Sequence, residues 1–243
     1  VKGATDIRLH PDRLDQPLRW RRPRRVFVNS LSDLFHEAIP DTFVASVFNV
    51  MANAERHTFQ ILTKRPDRMR AFILERKRRH EQQFGSYEPE PWIWLGTSVE
   101  NQHFAEERIP ILLEIPAGVR FISAEPLLGP LRLTPWLKLF RNDHVIDPTG
   151  VAYNRLDWVI TGGESGPGAR TCDTDWIAAI VEQCRLEGVA CFVKQLGARI
   201  RWGRLGGDSG SAMESRVAGG ILDAKGGEIS EWPSALQVRE YPC

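Results

Sequence analysis

The chain has 243 residues, 42% hydrophobic and 26% charged, with a net charge of +1, the proportions of an ordinary soluble globular protein. No apolar stretch approaches the roughly 20 residues that cross a bilayer. Val1 to Asp15 lack the apolar core of a secretory signal, so the expected compartment is the cytoplasm. Cys172, Cys184, Cys191 and Cys243 are irregularly spaced without a C-x-x-C pair, which argues against a disulfide framework and matches neither zinc nor iron–sulfur spacing.

In chain order, residues 1–24 read as an irregular lead-in rich in Arg and Pro, and Arg25 to Val28 as the first strand. Asn29 to Pro40 is a polar loop. Asp41 is placed to cap a helix over Thr42 to Ala54, where Phe43, Val44, Val47, Phe48 and Met51 recur at helical spacing. Thr58 to Leu62 is the next strand. A long basic helix follows over Pro66 to Gln83; proline suits its first turn, and Met69, Phe72 and Ile73 supply a buried stripe. Trp92 to Gly96 is apolar on both faces, as in a buried parallel strand. Asn101 to Glu114 reads as a helix that Pro110 must bend or end early.

Val119 to Ser123 and Asp157 to Thr161 are further strands. Between them Leu127 to Arg155, with Pro130, Pro135, Pro148 and Gly150, makes an excursion over one end of the sheet. Asp173 to Glu187 is an amphipathic helix closed by Gly188, and Val189 to Val193 is the last strand. Nine glycines then fall between Gly197 and Gly227. Strand and helix alternate at roughly thirty residues, the length of one strand–helix unit. The expected fold is therefore α/β: a parallel (β/α) barrel or partial barrel of at least six units over residues 1–196. Residues 197–243 form a loop-rich appendage and not an independent domain.

Each strand-like run closes in small, polar or charged residues: Val28-Asn29-Ser30, Leu62-Thr63-Lys64-Arg65, Gly96 to Asn101, Ser123-Ala124-Glu125-Pro126, Thr161 to Ser165, and Val193-Lys194-Gln195. Ligand sites in such folds gather at the C-terminal ends of parallel strands. Six polar ends converging on one mouth point to an enzyme or a small-molecule binder. Gly162 and Gly163, lacking Cβ, either let backbone approach a ligand or make a tight turn with no ligand. Glu164 after them can accept from an ammonium or a ribose. Glu125 with Lys194 is either a catalytic pair or a structural one that holds the mouth together. Ser98, Glu100 and Asn101 form a third polar set, and Thr63, Lys64 and Arg65 offer cations to a carboxylate or phosphate. Asn29, Asp33 and Gln195 complete the candidate substrate side.

Other features carry less. His36 and His57 lack metal-ligand spacing and read as packed or exposed histidines. Ser30 and Ser32 lie in no nucleophile-elbow pattern, and the absence of triad or metal spacing weakens a hydrolase reading. Charge is asymmetric: residues 1–80 hold 17 Lys and Arg against 9 Asp and Glu, a net +8, and the remainder 15 against 22, a net −7. The two basic clusters, residues 19–25 and 64–79, are either solvated surfaces or contacts for a nucleic-acid backbone.

Taken as an ordered set, several motifs resemble a bacterial and bacteriophage-associated, poorly characterised three-cysteine-motif family related to radical S-adenosylmethionine enzymes. They are Arg25–Asn29 with Ser32-Asp33-Leu34-Phe35-His36, Gln60–Arg65, Gly96–Asn101, Ser123–Gly129, Gly162–Arg170, Phe192–Gln195 and the tail Leu222 to Pro242. The resemblance spans residue 7 to the end. It implies a barrel-like fold with S-adenosylmethionine and a [4Fe-4S] cluster at the strand C-termini, and reductive cleavage to a 5′-deoxyadenosyl radical. With such a cofactor at the mouth, strand-end position assigns Ser98, Glu100, Gly162, Gly163 and Glu164 to the cofactor, and Glu125 and Lys194 to the lining of the reacting pocket. The N-terminal cysteine motif of that family is missing, since no cysteine precedes Cys172. Two readings stay open: a chain whose start is truncated or misplaced, with Val1 as a literal GTG start, or a cluster-less member that binds nucleotide or nucleic acid without catalysis.

Overall fold

A computed structural model of the chain describes residues 7–29, 32–138, 155–203 and 223–242. The strands are β1 (Arg25–Val28), β2 (Thr58–Thr63), β3 (Ile93–Ser98), β4 (Val119–Ala124), β5 (Trp158–Gly162), β6 (Cys172–Asp173), β7 (Ala190–Gln195) and β8 (Ile200–Arg201). The helices are α1 (Gln16–Arg19), α2 (Asp41–Asn53), α3 (Pro66–Phe84), α4 (Gln102–Leu113), α5 (Thr134–Leu137) and α6 (Thr174–Glu187). Six strands pair all-parallel in the order β1-β2-β3-β4-β5-β7 and curl into a half-barrel. The α/β partial barrel expected from the strand–helix period is thus the observed architecture.

Side-chain alternation along the strands explains how the sheet separates two cores. Phe59, Ile61, Leu95, Ile122, Val159 and Val193 face the helices and join Val44, Phe48, Met69, Ile73, Ile109, Ile177 and Ile180 in the main core. Their neighbours in sequence, Trp94, Phe121, Trp158 and Ile160, with the partly buried Leu62 and Phe192, form a second, largely aromatic cluster on the concave face. The central strands β3, β4 and β5 are buried along their whole length, whereas β1 alternates between exposed and half-buried residues. That contrast follows from position, since β1 lies at the end of the sheet order.

The opposite edge, β7, is covered by the tail. Val193 N–H donates to the Val238 carbonyl at 2.8 Å, and Glu240 N–H donates to the Cys191 carbonyl at 2.8 Å. This antiparallel stretch satisfies an edge that would otherwise be open to intermolecular pairing. It also lays Tyr241 against Trp158 and Phe192, each with ring centroids 5.3 Å away, and under the Arg25 guanidinium at 3.7 Å. Trp232 and Leu236 enter the main core. The tail therefore spans the concave side from β7 to β1.

Three local expectations are modified. Pro40, not Asp41, occupies the N-cap of α2; Asp41 sits in the first turn, where its carboxylate complements the helix dipole and accepts from Arg68 Nη2 at 2.6 Å. Helix α4 continues to Leu113 past Pro110, whose ring lies on the exposed face. Its missing N–H leaves a carbonyl one turn back that water can satisfy. A short parallel ladder between β6 and β8, with Cys172 level with Ile200, falls beside a segment expected to be loop. Gly188 closes α6 with φ +63°, as its position predicts. The middle of the excursion after β4 and residues 204–222 of the glycine-rich appendage lie outside the described residues, as do Ser30 and Cys243.

Candidate functional site

Parallel registry brings the strand ends level with one another. Thr63 pairs with Thr97, Ser98 with Ser123, Ala124 with Thr161, and Gly162 with Gln195 after a bulge. The residues that follow these positions consequently ring the C-terminal mouth of the half-barrel. Around it, four carboxylates each meet a cation: Asp33 with Arg65, Glu100 with Lys64, Glu125 with Lys194, and Glu164 with Arg170.

Glu125 is the centre of this arrangement. It continues the concave face of β4 beyond Phe121 and Ser123. Its Oε2 accepts from Lys194 Nζ and from Ser123 Oγ, each at 3.2 Å. Its Oε1 is buried and has no hydrogen-bond partner among the described residues. Burial pushes the carboxyl pKa above its ordinary value, and the Lys194 charge opposes this only in part. Such a group has acceptor capacity left for a ligand.

The other sequence-predicted residues divide by what they touch. Glu100 is buried between two cations: Lys64 reaches its Oε1, and Arg108 Nη1 donates to its Oε2 at 3.2 Å and to the Ser98 carbonyl at 2.8 Å. Ser98 is itself buried beside this network. Glu164 turns outward to Arg170, which holds it through both guanidinium and backbone N–H groups and draws its pKa down to about 2. Asn101 caps α4, accepting from Phe104 N–H at 3.1 Å. Gln195 Nε2 donates to the Gly163 carbonyl at 2.8 Å. Asn29 takes a left-handed φ of +61° at the end of β1, and Ser32 N–H donates to its carbonyl.

Asp33 is a fastening for β2. Its carboxylate accepts from Thr63 Oγ1 at 2.7 Å, Arg65 Nη1 at 2.9 Å, Phe35 N–H at 2.9 Å and Lys64 N–H at 3.2 Å. Hydrogen bonds to charged groups contribute about 1.5–3 kcal/mol each when cleanly removed. Asp33→Ala is therefore expected to lower unfolding free energy by about 2–3 kcal/mol, read from the urea midpoint. Asp33→Asn should recover part of that loss, and a wild-type midpoint for the alanine variant would refute the fastening role.

The paired glycines have a packing explanation. A Cβ on Gly163 would lie 2.2 Å from the Leu196 carbonyl oxygen, and one on Gly162 would lie 2.8 Å from the Gln195 oxygen and 2.9 Å from Glu125 Oε1. Their backbones are approached by β7 and by Glu125. Arg108 and Arg170 complete the charge pairs and were not marked by strand-end position: Arg108 projects from a helix and Arg170 from a loop. Only the regular spacing of α4 from Glu100 could have suggested Arg108.

Among the described residues, no cluster of three His, Cys, Asp or Glu side chains is placed to hold a metal. Cys172, Cys184 and Cys191 are buried in the main core. Burial raises the Cys172 thiol to about 12, and contact with Cys191 together with burial raises Cys184 further. His57 is packed: Arg24 N–H donates to its Nδ1 at 3.2 Å, which leaves Nε2–H to donate to the Pro17 carbonyl at 2.9 Å. No described helix is long and apolar enough to cross a membrane. The chain matches no curated protein and no solved structure. Residues 2–227 match a family described as protein of unknown function (DUF5131). With nearly the whole chain covered, the protein belongs to the DUF5131 family.

Proposed function

We propose that this chain binds an ammonium-bearing nucleoside ligand of the S-adenosylmethionine class at the C-terminal mouth of the half-barrel. One observation carries the reading. The Glu125 side chain is 14% exposed, and one of its oxygens is buried without a partner between a lysine and a glycine. An unmet buried acceptor costs about 1–3 kcal/mol, and an ammonium or hydroxyl donor reaching it from the mouth would relieve it. The Lys194 side chain is 57% exposed, and its long stem can exchange Glu125 for a ligand carboxylate. Ser98 and Glu100 border the same mouth, while Asp33, Asn101 and Gln195 hold the strand ends in place.

When bound, S-adenosylmethionine supplies an activated carbon–sulfur bond. An iron–sulfur cluster does not fit the described cysteines, because its ligands are thiolates gathered on one site. The three described cysteines are buried in the helix-facing core with no such grouping. The reading is accordingly binding and orientation of the ligand by Glu125 and Lys194.

Calorimetric titration with S-adenosylmethionine, adenosine and methionine tests it. Glu125→Gln keeps the side-chain volume and removes the charge, so affinity for S-adenosylmethionine should fall by about 10- to 100-fold, the range of a charge-assisted hydrogen bond. Because burial raises the Glu125 pKa above the ordinary carboxyl value, affinity should be full above the raised pKa and decline as pH falls through it. The free protein shows the opposite trend. Between the unfolded and folded pKa the native state binds more protons, so its stability decreases as pH rises. Absence of binding by the wild-type protein, or equal affinity in Glu125→Gln, would refute the proposal.

A further inference from the structure

The two basic clusters differ in a way that charge counting conceals. All eight cations between Lys64 and Arg79 have an acidic partner within the chain: Glu100, Asp33, Asp41, Glu114, Glu90, Glu81 and Glu75, the last shared by Arg78 and Arg79. Exposed pairs of this kind leave little net field. In the other cluster only Arg19 is paired, with Asp15. Among the described residues, Arg21, Arg22, Arg24, Arg25 and Arg56 are exposed and within ion-pair distance of no carboxylate.

These five arginines lie together at the N-terminal ends of β1 and β2. Arg25 opens β1 and is level with Thr58, whose N–H donates to the Arg24 carbonyl at 2.9 Å; Arg56 stands two residues before Thr58. The segment is held rigidly. Buried His57 clasps Arg24 N–H and the Pro17 carbonyl, and the Arg24 guanidinium lies over Trp20 at 4.6 Å. The one acid adjacent in sequence to this group, Glu55, is exposed.

A second observation selects the partner. Exposed large apolar residues are few among the described residues, and two of the aromatic ones, Phe27 at 42% and Tyr241 at 39%, flank Arg25. Phe27 follows Arg25 by two along β1, so both project from the same face of that strand. Unpaired cations interleaved with exposed aromatic rings are the physical elements of single-strand recognition. Cations follow the phosphodiester backbone, and bases stack on the rings.

We propose that this edge of the half-barrel binds single-stranded nucleic acid, with Arg21, Arg22, Arg24, Arg25 and Arg56 on phosphates and Phe27 as a stacking platform. The strand would run along β1, past Phe27, toward the mouth. This surface is independent of the Glu125 ligand.

Fluorescence anisotropy with labelled 20-nucleotide single-stranded RNA and DNA, and with the duplex, tests the proposal over a salt series. The full chain should bind a single strand more tightly than the duplex, the RNA and DNA arms identifying which strand it prefers. Phe27→Ala should weaken single-strand binding about tenfold, with Phe27→Trp restoring it. Arg21→Ala with Arg22→Ala should flatten the slope of log K against log salt by about 1.4, at roughly 0.7 for each phosphate no longer neutralised. Arg78→Ala, in a paired position, should change neither quantity, and circular dichroism should show each variant folded. No binding at low salt, equal binding of duplex, or a salt slope untouched by the Arg21 and Arg22 substitutions would overturn it. So would single-strand binding unaffected by Phe27→Ala.

Discussion

Trp158→Ala is expected to lower unfolding free energy by about 3–5 kcal/mol, the range for truncating a large buried aromatic. Trp158 is 3% exposed and stands on the concave face of β5, one strand in from the β7 edge. Its ring meets Trp94 at 5.7 Å, Phe121 at 5.6 Å, Phe192 at 6.1 Å and Tyr241 at 5.3 Å. Its Nε1–H donates to the Glu240 carbonyl at 2.9 Å. Truncation removes both the centre of the aromatic layer and the clasp on the tail. For a chain of this size each kcal/mol shifts the melting temperature by about 2–4 °C, so a fall of about 10 °C is expected by calorimetry. Trp158→Phe should keep most ring contacts and lose chiefly the hydrogen bond. A melting temperature within a degree or two of wild type for the alanine variant would show that the concave cluster does not hold the half-barrel together.

Gly163→Ala is the second large effect. The added Cβ would stand 2.2 Å from the Leu196 carbonyl oxygen, 2.8 Å from its carbonyl carbon and 2.9 Å from Cys172 Cβ. Two of these atoms belong to backbone, which cannot rotate aside as a long side chain can. Retreat is also blocked, because Gly163 N–H donates to the Gln195 carbonyl at 3.0 Å and Gln195 Nε2 donates back to the Gly163 carbonyl. Overpacking by one methyl usually costs about 1–3 kcal/mol, and a backbone collision places this variant at about 3 kcal/mol or above. Gly129→Ala is the matched control: no atom lies within 4 Å of its added Cβ, and its φ is not positive. Equal urea midpoints for the two variants would refute the packing account of Gly163. The site bears on this result, since Gly162 and Gly163 set the separation of β5 and β7 and thereby the distance from Lys194 to Glu125.

The same glycines show where sequence reasoning was ambiguous. A Gly-Gly-Glu turn after an apolar strand fits either a ligand's approach or a neighbouring strand's. In the structure the space beside both glycines holds the Gln195 and Leu196 carbonyls. Asp33 and Asn101 posed the same problem. Their residue types suit ligand contact, yet they serve as a strand fastening and a helix cap. Polar residue types at strand ends mark the mouth but do not say which of them spend their hydrogen bonds internally. Glu125 is distinguished by an oxygen that no described residue meets, and no local pattern encodes that.

Periodicity by itself determined the alternation of strand and helix, the parallel sheet and the end at which polar residues collect. Those features follow from local sterics and from burying apolar residues at a spacing of two or about 3.6. Apart from the local pairs that Lys77, Arg78 and Arg79 make within α3, only the tertiary structure decided which charges remain available. The other ion pairs depend on residues brought together from distant positions, as when Arg70 meets Glu114 or Arg65 meets Asp33. Two basic clusters in the sequence thus become one whose cations are all paired and one in which, among the described residues, only Arg19 is paired. The closure of β7 by the tail was likewise beyond local reading, because its hydrogen bonds join residues about 45 apart in the chain, Val193 with Val238.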